Sequence, residues 1–91
     1  MILLSPDAVE RLRTFLDQKN PDAARRALAA IWTAIDRLRE FPDLGIPTEA
    51  SDIRQIVVRF GASGYIVRYA VLPEEENILI TRIWHGRETR T

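Results

Sequence analysis

The 91 residues are 46% hydrophobic and 29% charged, an ordinary globular balance far from the composition of disorder, and their number suits one domain over residues 1–91. Thirteen Lys+Arg against thirteen Asp+Glu give a formal net charge of zero, whereas a protein that covers nucleic acid broadly carries a basic excess, so any basic stripe here must be local. Zero cysteines and one histidine, His85, exclude a disulfide framework and a structural zinc site, and no metal or other cofactor is expected.

Ile2 to Leu4 is a short apolar run stopped at once by Ser5-Pro6-Asp7. It reads as a first strand or a buried lead-in, and it is too short for a signal peptide or a membrane span, which places the expected location in the cytoplasm. Ser5-Pro6-Asp7-Ala8 supplies a cap, a proline at the first helical position and an acid in the first turn. The helix it predicts carries Val9, Leu12, Phe15 and Leu16 on one face and stops near Lys19. Asn20-Pro21-Asp22-Ala23 repeats the same grammar, so a second helix follows directly and the two form a hairpin.

That second helix is expected to reach about Phe41, with Ala24, Ala27, Leu28, Ile31, Ile35 and Leu38 on one stripe. Leu28, Trp32 and Ile35 form a further line, making the helix apolar over a wider arc than one sheet face covers. This line is either a broad core, with Trp32 against the first helix, or a groove that receives a partner segment. Pro42, Gly45 and Pro47 then break the pattern, and Leu44 to Asp52 reads as a loop.

Ile53 to Phe60, Tyr65 to Leu72 and Asn77 to Trp84 are rich in β-branched and aromatic residues and are separated by hairpin-length turns. The expected fold is therefore α+β: a short N-terminal strand, a helical hairpin, then a three-stranded antiparallel meander with the helices on one face. Alternation groups Arg54 with Ile56, Val58 and Phe60. Its guanidinium either passes a buried stem to solvent or aims into a cleft. The central run is apolar on both faces, and its Tyr65 and Tyr69 read as core residues with satisfied hydroxyls, with stacking as the alternative. The acidic run Glu74-Glu75-Glu76 reads as a solvated turn.

Arg82-Ile83-Trp84-His85-Gly86-Arg87 concentrates the sole histidine, two arginines and an aromatic at one strand end. Strict alternation spreads this cluster over both faces unless the strand bends at Gly86. A histidine beside arginines has the parts for metal-free RNA cleavage, as general acid or base with cationic support for the phosphoryl transition state. The bland reading of the same residues is a surface or capping cluster.

Asn20-Pro21-Asp22-Ala23-Ala24, Leu38 through Phe41-Pro42 with Gly45, Ile53-Arg54-Gln55-Ile56, Tyr65-Ile66-Val67-Arg68-Tyr69 and His85-Gly86-Arg87 resemble, in order and spacing, the RelE/ParE toxins of bacterial type II toxin-antitoxin systems. The resemblance spans nearly the whole chain. It implies a growth-inhibiting toxin, in a family tied to plasmid stabilisation, that a cognate antitoxin holds in a hetero-oligomer, and it makes Leu28, Trp32 and Ile35 candidate antitoxin contacts. It also implies one of two targets: DNA gyrase for ParE-like members, or ribosome-bound mRNA for RelE-like members, which are endonucleases. By position, Arg54, Arg82, His85 and Arg87 match RelE-like site residues, as a metal-independent catalytic set in that case and as target contacts otherwise. The chain ends Glu88-Thr89-Arg90-Thr91 without the terminal tyrosine of some RelE-like sites, and it carries no net charge. Both departures favour the ParE-like, non-enzymatic reading, with an mRNA endonuclease and a non-toxic antitoxin-binding member as alternatives.

Overall fold

The computed structural model describes residues 1–17, 20–61 and 63–86, with the backbone alone described for Phe15, Leu16 and Ser63. Arg87, one of the expected site residues, lies outside the described residues. The chain runs β1 (Ile2–Leu4), α1 (Pro6–Leu16), α2 (Pro21–Arg37), β2 (Ile46–Pro47), β3 (Ile53–Phe60), β4 (Ser63–Leu72), a 3-10 turn (Pro73–Glu75) and β5 (Asn77–His85). One five-stranded sheet results, in the order β1-β5-β4-β3-β2. Only the β1–β5 pair is parallel.

The caps read from the sequence are made. Asn20 Oδ1 accepts from the Ala23 N–H at 3.1 Å, and Ser5 Oγ accepts from the Ala8 N–H at 3.1 Å, each satisfying an amide that the first helical turn leaves open. Ser5 Oγ also donates to the Thr81 carbonyl at 2.9 Å, tying α1 to β5. Ser5→Ala loses both bonds and should destabilise the fold by about 1 kcal/mol, a fall in melting temperature of about 4–8 °C for a domain of this size. A thermal melt within 2 °C of the parent, at the order of experimental error, would show that the cap is dispensable.

The helices cover one sheet face. Ala8, Ile31, Ile35 and Leu38 pack against Val58, Val67, Tyr69, Ile78, Ile80 and Ile83, forming a single core. No helix among the described residues is long and apolar enough to cross a membrane.

Two expectations are corrected here. The second helix ends at Arg37 with Leu38 as its cap, rather than at Phe41, because the chain turns through Arg39 and Glu40 toward Pro42. The segment Leu44 to Asp52 also contains a strand: Ile46 and Pro47 pair with Gln55 and Arg54 of β3. This strand exists because Gly45 is pinned. Its N–H donates to Tyr69 Oη at 2.8 Å, its carbonyl accepts from Arg54 Nη1 at 2.7 Å, and Tyr69 Oη donates to the Pro42 carbonyl at 2.8 Å. Pro47 is tolerated because it occupies the outermost strand, which needs no donor on its free side.

The two outer edges of the sheet end differently. Beyond β1, the side of β5 is closed by side chains of the first helical segment, with Ser5 Oγ on the Thr81 carbonyl and Arg11 Nε on the Ile83 carbonyl at 3.1 Å. Beyond β2, residues 56–60 of β3 carry no further strand among the described residues.

Candidate functional site

The face of the sheet opposite the helices is set by register. Gln55, Arg68 and Arg82 lie side by side on β3, β4 and β5, and the next rung on that face is Val57, Ile66 and Trp84. A β-bulge makes this possible. Arg68 pairs with Arg82 but Tyr69 pairs with Ile80, leaving Thr81 as the extra residue. Alternation restarts after it, so Ile83 and His85 join Ile78 and Ile80 on the helix side while Arg82 and Trp84 face away. The sequence pattern placed Ile83 and Ile80 on opposite faces, since a bulge leaves no mark in the alternation itself.

Trp84 is 2% exposed and lies beneath two cations: the Arg68 guanidinium carbon is 5.3 Å from its ring centre and that of Arg82 is 5.4 Å. Both distances are within range for attraction to the face of an indole. Arg68 is further fixed by Gln55 Oε1 at 3.1 Å on its Nε and by the Glu49 carboxylate at 3.2 and 3.3 Å on Nη2. Glu49 reaches it from a loop held by Thr48, whose Oγ1 donates to the Ile53 carbonyl at 2.9 Å and accepts from the Ala50 N–H at 3.2 Å. Arg82 is exposed and makes no ion pair among the described residues. The result is a preorganised cationic and aromatic platform that matches a carboxylate or phosphate oxygen.

The expected site residues do not form one cluster. Arg82 stands on the open face. His85 sits on the helix side, where its ring meets Tyr65 edge-on at 5.1 Å and 84°. Arg54 is also on the helix side, its guanidinium taken by the Gly45 carbonyl and, at 3.8 Å, by Asp43. Arg54 is thus a structural anchor for the β2 turn, and the expectation that it stands with Arg82 in one set of site residues is corrected. Arg68 had been overlooked. Its signal was available, as the one charged residue in a central strand otherwise apolar on both faces.

The line expected to meet an antitoxin also divides. Ile35 is fully buried in the core, Leu28 is half-buried against it, and Trp32 is 49% exposed. The broad-core reading accounts for Ile35 and Leu28, which corrects the expectation of a groove lined by all three, and Trp32 alone remains open. Tyr65 and Tyr69 both serve the core. Burial raises the Tyr69 phenol above its ordinary 10.0, against the lowering effect of the Gly45 hydrogen bond and the Arg54 charge, and so keeps its hydroxyl a donor. Among the described residues no group of three or more potential metal ligands comes together.

Comparison with known proteins agrees with this architecture. A family profile described as "ParE toxin of type II toxin-antitoxin system, parDE" matches residues 2–90. Toxin RelE1 of Caulobacter vibrioides is 38% identical over 80 residues, which is 88% of this chain and 83% of that protein. Toxin RelE3 of the same organism is 36% identical over 80 residues, covering 88% and 84%. A chain in the crystal structure of the intact E. coli RelBE toxin-antitoxin complex superposes with a TM-score of 0.68 over 99% of this chain and 98% of its own, at 15% identity. At that identity the likeness is one of fold.

Proposed function

The chain belongs to the ParE toxin family of type II toxin-antitoxin systems, and from that premise we propose that it is a cytoplasmic toxin that inhibits DNA gyrase through its open sheet face and is neutralised by a cognate antitoxin. The observation that carries the reading is the Arg68–Trp84–Arg82 platform, with His85 on the opposite side of the sheet. Two guanidiniums over a buried indole, that of Arg68 fixed by Gln55 and Glu49, form a contact surface of the kind that anchors protein interfaces, where arginine and tryptophan dominate binding energy. A histidine-based acid–base reaction would need His85 within reach of the arginines, and His85 faces away from them. Formal neutrality fits a protein target better than the phosphate-dense ribosome.

The test pairs a gyrase supercoiling assay on purified toxin with primer extension on mRNA after induction. Arg68→Ala with Arg82→Ala should weaken gyrase inhibition by about 100-fold, the loss of two interface anchors of about 1–2 kcal/mol each. Arg82→Ala alone should leave the melting temperature near the parent's, since exposed polar substitutions shift stability by about 0.5 kcal/mol. Undiminished inhibition by the double variant would remove the platform from the mechanism.

A second reading is supported by the names of the relatives, Toxin RelE1 and Toxin RelE3. In it the same arginines hold the mRNA backbone at the ribosome, and cleaved transcripts with unchanged supercoiling would select it. A family member that binds its antitoxin without toxicity would leave both assays blank.

A further inference from the structure

We propose that the open sheet face recognises a single carboxylate of its protein target, and that Glu49 fills the seat on Arg68 until the target displaces it, an inference that rests on the gyrase reading above. The chain supplies its own example of the ligand. Both Glu49 carboxylate oxygens accept from Arg68 Nη2, at 3.2 and 3.3 Å, while Gln55 holds Nε at 3.1 Å and the guanidinium rests over the Trp84 ring. The two partners are unequally exposed, the Arg68 side chain at 17% and that of Glu49 at 70%. An ion pair whose carboxylate stays in water contributes little, because hydration and screening offset most of the attraction. Without Glu49, Gln55 and the indole still hold Arg68. Glu49 is thus the replaceable member. An incoming carboxylate that keeps its contact with Arg68 and adds one with Arg82, whose guanidinium lies over the same ring, has the stronger seat.

Charge and neighbours favour a carboxylate over a run of phosphates. Glu49 cancels the Arg68 charge, and Arg82, which has no ion pair among the described residues, is left as the platform's surplus cation. Arg82 also borders a polar pocket whose other walls include Asp7 and Glu10 of α1. A phosphodiester chain crossing Arg82 would pass those acids, whereas one carboxylate between the two guanidiniums avoids them. The rungs on either side of the arginines are apolar. Leu3, Leu79, Ala70 and Ile53 lie abreast on one side, and Ile66 stands beside Trp84 on the other. Leu3, Leu79, Ile53 and Ile66 are each partly exposed on this face. A polypeptide segment carrying one aspartate or glutamate among apolar side chains matches that order of rungs. Sugar and phosphate would instead be desolvated against the apolar rows without partners.

The inference is tested by the supercoiling assay on the full chain, with melting temperatures in parallel. Glu49→Ala empties the seat and should strengthen gyrase inhibition by about three- to fivefold, the most that an exposed ion pair costs its competitor. Its melting temperature should stay within about 4 °C of the parent's. Glu74→Ala, in the turn after β4, removes the same charge away from the platform and should leave inhibition at the parent's level. On an Arg68→Ala background, Glu49→Ala should add nothing, because the two residues act through one guanidinium. If the parent leaves supercoiling unchanged, the gyrase reading itself falls. If the parent inhibits and Glu49→Ala inhibits no better, or gains as much without Arg68, the carboxylate seat falls and the gyrase reading stands. An equal gain from Glu74→Ala would reduce the effect to net charge and overturn the seat likewise. Transcripts cleaved after induction of Glu49→Ala, with supercoiling untouched, would give the platform to phosphate instead.

Discussion

Replacing Gly45 by alanine should lower the melting temperature by about 12–24 °C, the equivalent of about 3 kcal/mol in a domain of this size. A Cβ at this position would lie 2.6 Å from Tyr69 Oη, 2.8 Å from the Gln55 carbonyl oxygen and 2.8 Å from a carbon of the Tyr69 ring. One of these is backbone, and the others belong to a ring that is fully buried in the core. Neither can give way cheaply, so the turn must leave Tyr69 and take β2 with it. Tyr69→Phe attacks the same node from the other side, leaving the Gly45 N–H and the Pro42 carbonyl without their partner at about 1–3 kcal/mol. Because burial holds the Tyr69 phenol above 10.0 in the folded chain, its contribution is complete below pH 10 and is lost as the pH rises through the raised value. The phenylalanine variant should lack that alkaline loss. Thermal melts across the alkaline range read all three effects, and a Gly45→Ala variant melting with the parent would show that the node carries no stability.

A second large effect is expected at Ile35. Its side chain is fully enclosed by the core, so Ile35→Ala should cost about 2–5 kcal/mol through lost burial and the cavity left behind. Trp32→Ala, three residues earlier and half-exposed, should cost about 1 kcal/mol or less. The contrast matters when antitoxin binding is measured. An Ile35 variant loses affinity because it unfolds, whereas a Trp32 variant that stays folded reports the helix surface alone. Denaturant unfolding alongside binding separates them, and equal stabilities for the two variants would mean that the helix packs otherwise.

The sequence was most readable where a residue acts on its own neighbours. Ser5 and Asn20 announced their helices because a cap is a local bargain between one side chain and the amides just after it. The three long strands followed from β-branched alternation, and Ile2–Leu4 proved to be the first strand. Arg54 was correctly grouped with Ile56 and Val58. Its partner could not be read, because Gly45 reaches it only after the chain has turned back at Pro42. The strand at Ile46 and Pro47 was hidden for the same reason, being held by a tyrosine 24 residues away from Gly45. Thr81 had the largest consequence. As the extra residue of a bulge it exchanges the faces of everything after it, so the platform at Arg68, Arg82 and Trp84 is a property of pairing rather than of spacing.

The parallel pairing of the first strand with the last has a consequence for synthesis. Ile2 to Leu4 lie against Ile78 to Ile80, and the terminal amine donates to the Glu76 carbonyl across a separation of 75 residues. At ribosomal rates of about 5–20 residues per second, the first strand waits roughly 4–15 s for its partner. Through that interval the inner sides of the helical hairpin lack β5, the strand against which α1 chiefly packs. The core, and with it a folded Arg82 and Trp84, forms only once β5 has been made. A chain still lacking β5 therefore carries no finished platform, and that surface comes into being only when the strand has emerged and paired.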